Sequence, residues 1–202
     1  ERSHKNGLKV IIDIVPNHVA RNYQSASNPE GTKDFGEDDD KTVVYDVNNN
    51  FYYTPNEPFK VPEFLNGYLP LGGEKNASSD KKFDENPAKW TGNGSRSPKP
   101  SFYDWYETVK VNYGVSPKGK KDFDELPIGF ENEDYKKHFA FWQDKTVPSS
   151  WVKFKDITLY WIEKGVDGFR YDMAEMVPVE FWSFMNSAIK MKNPDAFLLA
   201  EV

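Results

Sequence analysis

The sequence predicts an α/β protein built on a parallel β-sheet, because strand and helix patterns alternate at both ends of the chain. Residues 8–15 are β-branched and nearly continuously apolar, a pattern typical of a buried parallel strand. Between residues 149 and 201 a helix, a strand, a second helix and a second strand follow one another. Such alternation is typical of βα units, in which helices cover a sheet of parallel strands.

Helical spacing and stop signals define the elements of this second stretch. The first helix, over 149–164, opens with a serine pair that we expect to cap it, and it stops at Gly165. A strand over 166–172 follows, then a helix over 179–192 and a strand over 196–201. Apolar residues at helical spacing predict the buried faces of the two helices: Trp151, Phe154, Ile157 and Trp161 in the first, and Phe181, Trp182, Met185 and Ile189 in the second.

The βα alternation is lost in the middle of the chain. There Pro, Gly, Asn and Asp interrupt short aromatic runs, and a structureless loop of such length is improbable inside a compact domain. We therefore predict an inserted, loop-rich subdomain over 19–135. The remaining parts, 1–18 and 136–202, form the α/β domain.

Composition excludes several classes of protein. The absence of cysteine excludes disulfides and thiolate chemistry. The sequence contains no run of 18 apolar residues, so we expect no transmembrane helix in it. A formal charge of −6 argues against a nucleic-acid partner. Two segments, Asn76-Ala77-Ser78 and Asn93-Gly94-Ser95, match the glycosylation acceptor pattern, which often arises by chance.

The two ends of the chain are abrupt. Residues 1–7 read as the last turn of a helix, and the chain stops on a strand pattern, so we expect a piece of a longer enzyme. Oligomeric state is left open. The compartment is left open. An extracellular or periplasmic location is favoured over others, although no leader segment indicates it.

The most informative motif is Gly-Phe-Arg-Tyr-Asp at 168–172, followed by Glu201 at the end of the next strand. On a strand, Arg170 and Asp172 point to the same face, and a cation so close favours the ionised acid. Glu201 follows an apolar run that favours the protonated acid if the site is dry. One charged and one protonated carboxyl group are what retaining glycoside hydrolysis requires.

The first strand also ends in polar residues, within Asp-Ile-Val-Pro-Asn-His at 13–18. Polar residues at the carboxyl ends of parallel strands face the ligand site. Each has an alternative explanation: Asn17 and His18 could cap a turn, and Asp13 could satisfy buried backbone groups. The recurrence of polar residues at three successive strand ends favours a functional site.

These segments resemble the α-amylase family of glycoside hydrolases (family 13). DIVPNH at 13–18 is similar to the family's first signature region, GFRYD at 168–172 to the second, and the Glu that closes LLAE at 198–201 to the third. The long segment between the first and second of these regions resembles the family's inserted domain B. The resemblance implies part of a (β/α)8 TIM barrel, strands three to five, with a long loop-rich insertion.

The resemblance also implies catalytic roles. Asp172 resembles the nucleophile that forms a covalent glycosyl-enzyme intermediate, Arg170 its holding partner, and Glu201 the general acid/base. The implied enzyme is a retaining glycoside hydrolase that acts on α-glucosidic bonds of starch-like glucans or maltooligosaccharides.

Binding roles are implied at the first strand end. His18 resembles the residue that hydrogen-bonds the sugar at the cleavage point, and Asp13 the largely structural acid beside it. Asn17 matches a position that binds structural calcium in many members, and no organic cofactor is implied. The implied partner is an α-glucan or oligosaccharide.

The chain departs from the family pattern in two respects. The fourth signature region with its third catalytic acid is absent, so we expect residues 1–202 alone to be inactive. After Asp172, where many members carry a Lys-His pair, this chain has Met-Ala-Glu-Met-Val-Pro at 173–178, which weakens the expectation of plain amylase specificity and of calcium.

Three alternatives remain open at the level of sequence. The enzyme could transfer glycosyl groups to sugars, or act on cyclodextrins or branch points, with the same acids. A non-catalytic barrel relative is less consistent with retention of Arg170, Asp172 and Glu201. An unrelated barrel with an acidic metal site is disfavoured because Arg170 occupies the place of a cation.

Overall fold

The structure, a computed structural model, describes residues 1–26, 28–62 and 85–202. The described residues divide into two compact units, one formed by 1–17 and 113–202 and the other by 18–112. The predicted insertion ends at 135, whereas residues 113–135 group with the first unit. The first acceptor pattern, at Asn76, lies outside the described residues.

The helices and strands of the described residues follow the chain in this order: α1 (Arg2–Lys5), β1 (Ile11–Ile14), β2 (His18–Ala20), β3 (Tyr53–Thr54), β4 (Ala88–Lys89), β5 (Thr108–Lys110), α2 (Tyr135–Trp142), α3 (Ser149–Glu163), β6 (Gly168–Tyr171), α4 (Val179–Lys192) and β7 (Phe197–Ala200). Short 3-10 helices lie at Phe130–Asn132 and Ala174–Met176. Among the described helices, none has both the length and the apolar character needed to cross a membrane.

The first unit contains a parallel sheet with the strand order β1-β6-β7. Ile14 pairs with Tyr171, and Tyr171 pairs with Ala200, so the three strands end at the same level. This confirms the predicted parallel α/β arrangement of these segments. The first strand is shorter than the apolar run over 8–15 from which it was predicted.

One face of the sheet is covered by helices. Phe169 and Tyr171 of β6 point to that face and are almost fully buried. The ring of Tyr171 lies 4.5 Å from that of Trp182 on α4, and its hydroxyl donates to Oδ1 of Asn186 at 2.7 Å. In α4, Phe181, Met185 and Ile189 are buried as the spacing predicts, while Trp182 is half-buried.

Two details of α3 differ from the sequence prediction. Pro148 occupies the N-cap position, and no side-chain hydrogen bond caps the helix, so the predicted serine cap is wrong. The fixed φ of proline suits a helix start, and the serines lie inside the first turn. Trp161 is exposed, because the buried stripe of α3 instead continues through Thr158 and Ile162.

The other face of the sheet presents apolar side chains that the described residues leave exposed, namely Ile11, Phe197 and Leu199. Gly168 lies among them for a steric reason. A Cβ atom built at Gly168 would lie 1.9 Å from the carbonyl oxygen of Phe197, which no side chain can tolerate. The glycine of the motif therefore permits β6 and β7 to pair.

The second unit contains short antiparallel strand pairs, β2 with β5 and β3 with β4. Its central charged group is Arg21, whose side chain is fully enclosed. The guanidinium pairs with the carboxylate of Glu85, donates from Nε to the carbonyl of Tyr106 at 2.7 Å, and lies 3.8 Å above the ring of Phe59. Because these partners come from separate loops, Arg21 cross-links the unit.

Asp167 ties the start of β6 to the segment before β1, and this contact predicts a pH dependence of stability. Its Oδ2 accepts from the backbone N–H of Val10 at 2.7 Å and lies 2.7 Å from Nε2 of His4. The Val10 N–H and then His4 lower the pKa of Asp167 below its ordinary value of 3.8. Its contribution is complete above the unfolded-state pKa and is lost as pH falls through the folded-state pKa.

We therefore expect the free energy of unfolding of Asp167→Asn to fall less steeply than that of the wild type on acidification. Denaturant titrations between about pH 6 and pH 2 measure this slope. His4→Ala is the control, and should keep most of the wild-type slope because the Val10 contact remains. Equal slopes in wild type and Asp167→Asn would contradict the assignment.

Candidate active site

Charged side chains from three parallel strands meet at one edge of the sheet in the first unit. Asp13 lies on β1, Arg170 on β6, and Asp172 directly after β6, while Glu201 directly follows β7. Asp13 and Arg170 are register partners, so their side chains emerge on the same face. Parallel pairing thus brings together residues that are far apart in the sequence.

The guanidinium of Arg170 contacts all three carboxylates. Its Nη1 donates to Oδ2 of Asp13 at 2.8 Å and to Oδ1 of Asp172 at 2.9 Å, and its Nη2 lies 2.5 Å from Oε2 of Glu201. Desolvation acts to lower the pKa of Arg170, but the charges of Asp13 and Glu201 and the hydrogen bonds that Arg170 donates to Asp13 and Asp172 outweigh it and raise that pKa. Arg170 therefore stays a permanent cation at the centre of the cluster.

Backbone hydrogen bonds fix the relative position of the two acids. The N–H of Asp172 donates to the carbonyl of Ile14 at 2.9 Å, which extends the pairing of β1 with β6. The N–H of Glu201 donates to the carbonyl of Tyr171, and its carbonyl accepts from the N–H of Ala174, each at 2.9 Å. Glu201 is thus bonded to the chain on both sides of Asp172.

The two acids differ in exposure. The side chain of Asp172 is 24% exposed and that of Glu201 is 53% exposed. The apolar residues before Glu201 are exposed as well, so the dry surroundings on which its expected protonation depended are not formed by the described residues. The geometric prediction that Arg170 and Asp172 lie side by side is met.

His18 belongs to the second unit. It begins β2, pairs with Lys110 of β5, and its ring lies 5.4 Å from that of Trp105 in an edge-on arrangement. Lys110 is partly buried, and this desolvation lowers its pKa. Trp105 and the neighbouring strand therefore define the orientation of His18.

Asn17 is almost fully buried at the end of the first segment of the first unit. Calcium takes six to eight oxygen ligands, commonly several carboxylates. Within the described ranges, no group of three or more His, Asp or Glu could hold a metal ion. These residues alone do not supply a carboxylate-rich calcium site, and calcium at Asn17 stays a prediction.

Sequence reasoning missed the turn that follows Asp172. Met173 has φ of 52° and ψ of 44°, the left-handed conformation, and the next carbonyl, of Ala174, accepts a hydrogen bond from Nε1 of Trp182 at 3.0 Å. Gly or Asn would have signalled such a turn, whereas methionine carries no such signal. Trp182 was identified only as a core residue.

Comparison with known proteins identifies relatives for half of the chain. An α-1,4-glucan:maltose-1-phosphate maltosyltransferase of Methylacidiphilum infernorum is 33% identical over 102 residues, which are 50% of this chain and 13% of the relative. An intracellular maltogenic amylase of Bacillus subtilis is 31% identical over 115 residues, 54% of this chain and 18% of the relative. The chain thus spans less than a fifth of either relative.

No family model matches the chain. Among solved structures, a cyclic α-maltosyl-(1→6)-maltose hydrolase from Arthrobacter globiformis aligns with 98% of this chain and 28% of its own, at 15% identity and a TM-score of 0.46. A likeness at that TM-score carries no argument about fold or activity.

Sheet and site define an α/β protein with an arginine-bridged carboxylate cluster at its strand ends. With the relatives just described, they confirm the resemblance read from the three motifs. The resemblance to the α-amylase family is thereby supported by relatives whose names describe glucan-acting enzymes.

The three contacts of Arg170 predict a pH-dependent loss of stability when its charge is removed. In Arg170→Gln, three carboxylates that converge on one point repel one another without a cation. We expect a lower free energy of unfolding than the wild type at pH 7, and a smaller difference near pH 3, where carboxylates of ordinary acidity take up protons.

Denaturant titrations at the two pH values measure this difference. Arg2→Gln, at an exposed arginine of α1, is the matched control and should change stability little at either pH. A loss in Arg170→Gln that is the same at both pH values would show that packing, and not charge, is what Arg170 contributes.

Proposed function

We propose that this chain carries the nucleophile and the general acid/base of a retaining enzyme that acts on α-glucosidic bonds of starch-like glucans or maltooligosaccharides. The observation that carries the proposal is the contact of one guanidinium, that of Arg170, with both Asp172 and Glu201 at neighbouring strand ends. Carboxyl groups of a retaining pair lie about 5–5.5 Å apart, which requires two acids that are near neighbours, as those that contact one guanidinium are.

In the first step, a carboxylate oxygen of Asp172 attacks the anomeric carbon of the bound sugar. The bond from that carbon to the glycosidic oxygen breaks, and Glu201 gives its proton to the departing oxygen. In the second step, Glu201 takes a proton from water while the water oxygen attacks the same carbon. The ester bond to Asp172 breaks, and both acids return to their starting states.

Arg170 has different consequences for the two acids. Its hydrogen bond to Asp172 orients that carboxylate at the strand end, as a nucleophile requires. Its contact with Glu201 holds that carboxyl group against the guanidinium, away from a glycosidic oxygen. We propose that substrate binding opens the Arg170–Glu201 pair, so that the carboxyl group of Glu201 can face the glycosidic oxygen.

The same proposal includes the (β/α)8 barrel. Three parallel strands are covered by helices on one face, and exposed Ile11, Phe197 and Leu199 remain on the other. In a closed barrel those side chains would pack in the interior, and the charged cluster would lie at the carboxyl-terminal end of the strands, where barrel enzymes bind substrates. We propose β1, β6 and β7 as strands three to five of such a barrel.

His18 and Asp13 are the proposed substrate-side residues. The ring of His18, oriented by Trp105, would hydrogen-bond a hydroxyl of the sugar at the cleavage point. Asp13 would act mainly through Arg170, since its carboxylate accepts from the same Nη1 that donates to Asp172. Because the chain spans only part of its relatives, the activity belongs to the whole protein.

A second candidate, transfer of a glycosyl group to an acceptor other than water, is favoured by the maltosyltransferase relatives. Hydrolysis and transfer share the glycosyl-enzyme intermediate and differ in what attacks it. Product analysis of the full-length protein on starch, pullulan, cyclodextrin and maltose, with and without inorganic phosphate, separates them. Phosphorylated sugar products would favour transfer, free reducing sugars hydrolysis, and no products from any substrate would contradict the proposed function.

Replacement of Asp172 by Asn tests the nucleophile. We expect kcat on glucan to fall by roughly 10³-fold or more in the full-length protein, because the amide cannot form the covalent intermediate. Asp195→Asn, at an exposed aspartate between α4 and β7, is the matched control and should keep the wild-type rate. Steady-state kinetics measure both, and near-normal turnover in Asp172→Asn would refute the assignment.

Replacement of Glu201 by Gln tests the general acid. The expected loss on natural glucans is about 10²–10⁴-fold, because the leaving oxygen then departs without a proton. Aryl glycosides with very good leaving groups need no protonation, so their glycosylation step should be largely spared.

A burst of released phenol in stopped-flow measurements reports the glycosylation step. Glu163→Gln, at an exposed glutamate of α3, serves as the matched control. The acid role is contradicted if natural and activated substrates lose the same factor.

A further inference from the structure

The turn between the proposed nucleophile and the 3-10 helix is held in an unfavourable backbone conformation. Met173, which follows Asp172 directly, has φ of 52°. A methionine at positive φ brings its Cβ close to the backbone, which only Gly, and to a lesser degree Asn, tolerates without cost. Strain of this kind persists only where surrounding contacts impose it.

Contacts on the following residue impose this conformation. The N–H of Ala174 donates to the carbonyl of Glu201 at 2.9 Å, and the carbonyl of Ala174 accepts from Nε1 of Trp182 at 3.0 Å. Ala174 is buried, so both bonds are shielded from water. The peptide group that follows Met173 is thereby tied to Glu201, directly after β7, and the next peptide group is tied to α4.

Trp182 is itself held firmly. Its ring lies 4.5 Å from that of Tyr171, whose hydroxyl donates to Asn186 one turn further along α4. The indole therefore connects the helix to the strand on which Arg170 lies and to the turn that follows Asp172. Its N–H points to a carbonyl two residues beyond the proposed nucleophile.

We propose that Trp182 is a positioning residue of this active site. Through the carbonyl of Ala174 it maintains the left-handed turn at Met173 and so sets the separation between Asp172 and Glu201. The inference rests on the proposed function, because it concerns the same two acids. The residue that it adds to the site, Trp182, lies on the helix-covered side of the sheet and would act on the two acids only through the turn.

The separation of the acids matters for the chemistry. A retaining pair works at about 5–5.5 Å, and a displacement of about 1 Å can cost about 10²-fold in rate. Loss of one shielded hydrogen bond should loosen the turn without removing either acid. The predicted signature is a lower kcat at nearly unchanged KM, because Trp182 packs against Tyr171 on the helix-covered side of the sheet, away from the charged cluster.

The first experiment uses Trp182→Phe in the full-length protein with an activated aryl α-glucoside. We expect kcat to fall about tenfold while KM stays within about twofold. Trp161→Phe, at an exposed tryptophan of α3, is the matched control and should keep the wild-type kcat. Replacement of Trp182 by benzothienylalanine, which keeps the ring shape but lacks the N–H, should reproduce the loss and removes any doubt about packing.

The second experiment separates positioning from general stability. Asn tolerates the left-handed conformation, so Met173→Asn should hold the turn without help. We expect the Trp182→Phe substitution to cost much less kcat in the Met173→Asn background than in the wild type, although thermal unfolding shifts equally in both. An equal loss of kcat in the two backgrounds, or none in either, overturns the proposal.

The proposal and the proposed function fail in different ways. If the wild-type protein releases no aryl group, and Asp172→Asn behaves like the wild type, the proposed function fails. If the wild type is active and Asp172→Asn is not, while the Trp182 variants keep full kcat, only the positioning role fails.

Discussion

The contacts of Arg170 with three carboxylates are the interaction on which the site depends. Three acids on adjacent strand ends would repel one another, and a single planar cation with several donors holds them together. Lysine could not do this, because its ammonium group is a compact point charge. The cluster is also exposed enough for a ligand to compete for these contacts, as a catalytic site requires.

The sheet makes this interaction possible. Parallel pairing in register places the ends of β1, β6 and β7 at one level, and Gly168 lets β6 approach β7 where a side chain would meet the carbonyl of Phe197. Helix α4 packs against the opposite face through the contacts of Tyr171 with Trp182 and Asn186, and α3 packs against α4. The turn at Met173 then directs the chain away from the site and back toward α4.

Much of this arrangement could be predicted from the sequence. Helical spacing located α3 and α4, and the two-residue period of a strand placed Arg170 beside Asp172. The contact of Arg170 with Glu201 could not be predicted, because it depends on the register between β6 and β7, which local pattern does not encode. The turn at Met173 was also beyond prediction, since tertiary contacts impose a conformation that methionine does not favour.

The central claim is that Asp172, held by Arg170, forms a covalent bond to the sugar. Mass spectrometry tests it most directly, after incubation of the full-length protein with an α-glucosyl fluoride whose ring carries a second fluorine that slows hydrolysis of the intermediate. The account predicts a glycosyl group attached to the peptide that contains Asp172. Attachment to another residue, or turnover of this substrate with inversion of configuration, would contradict it.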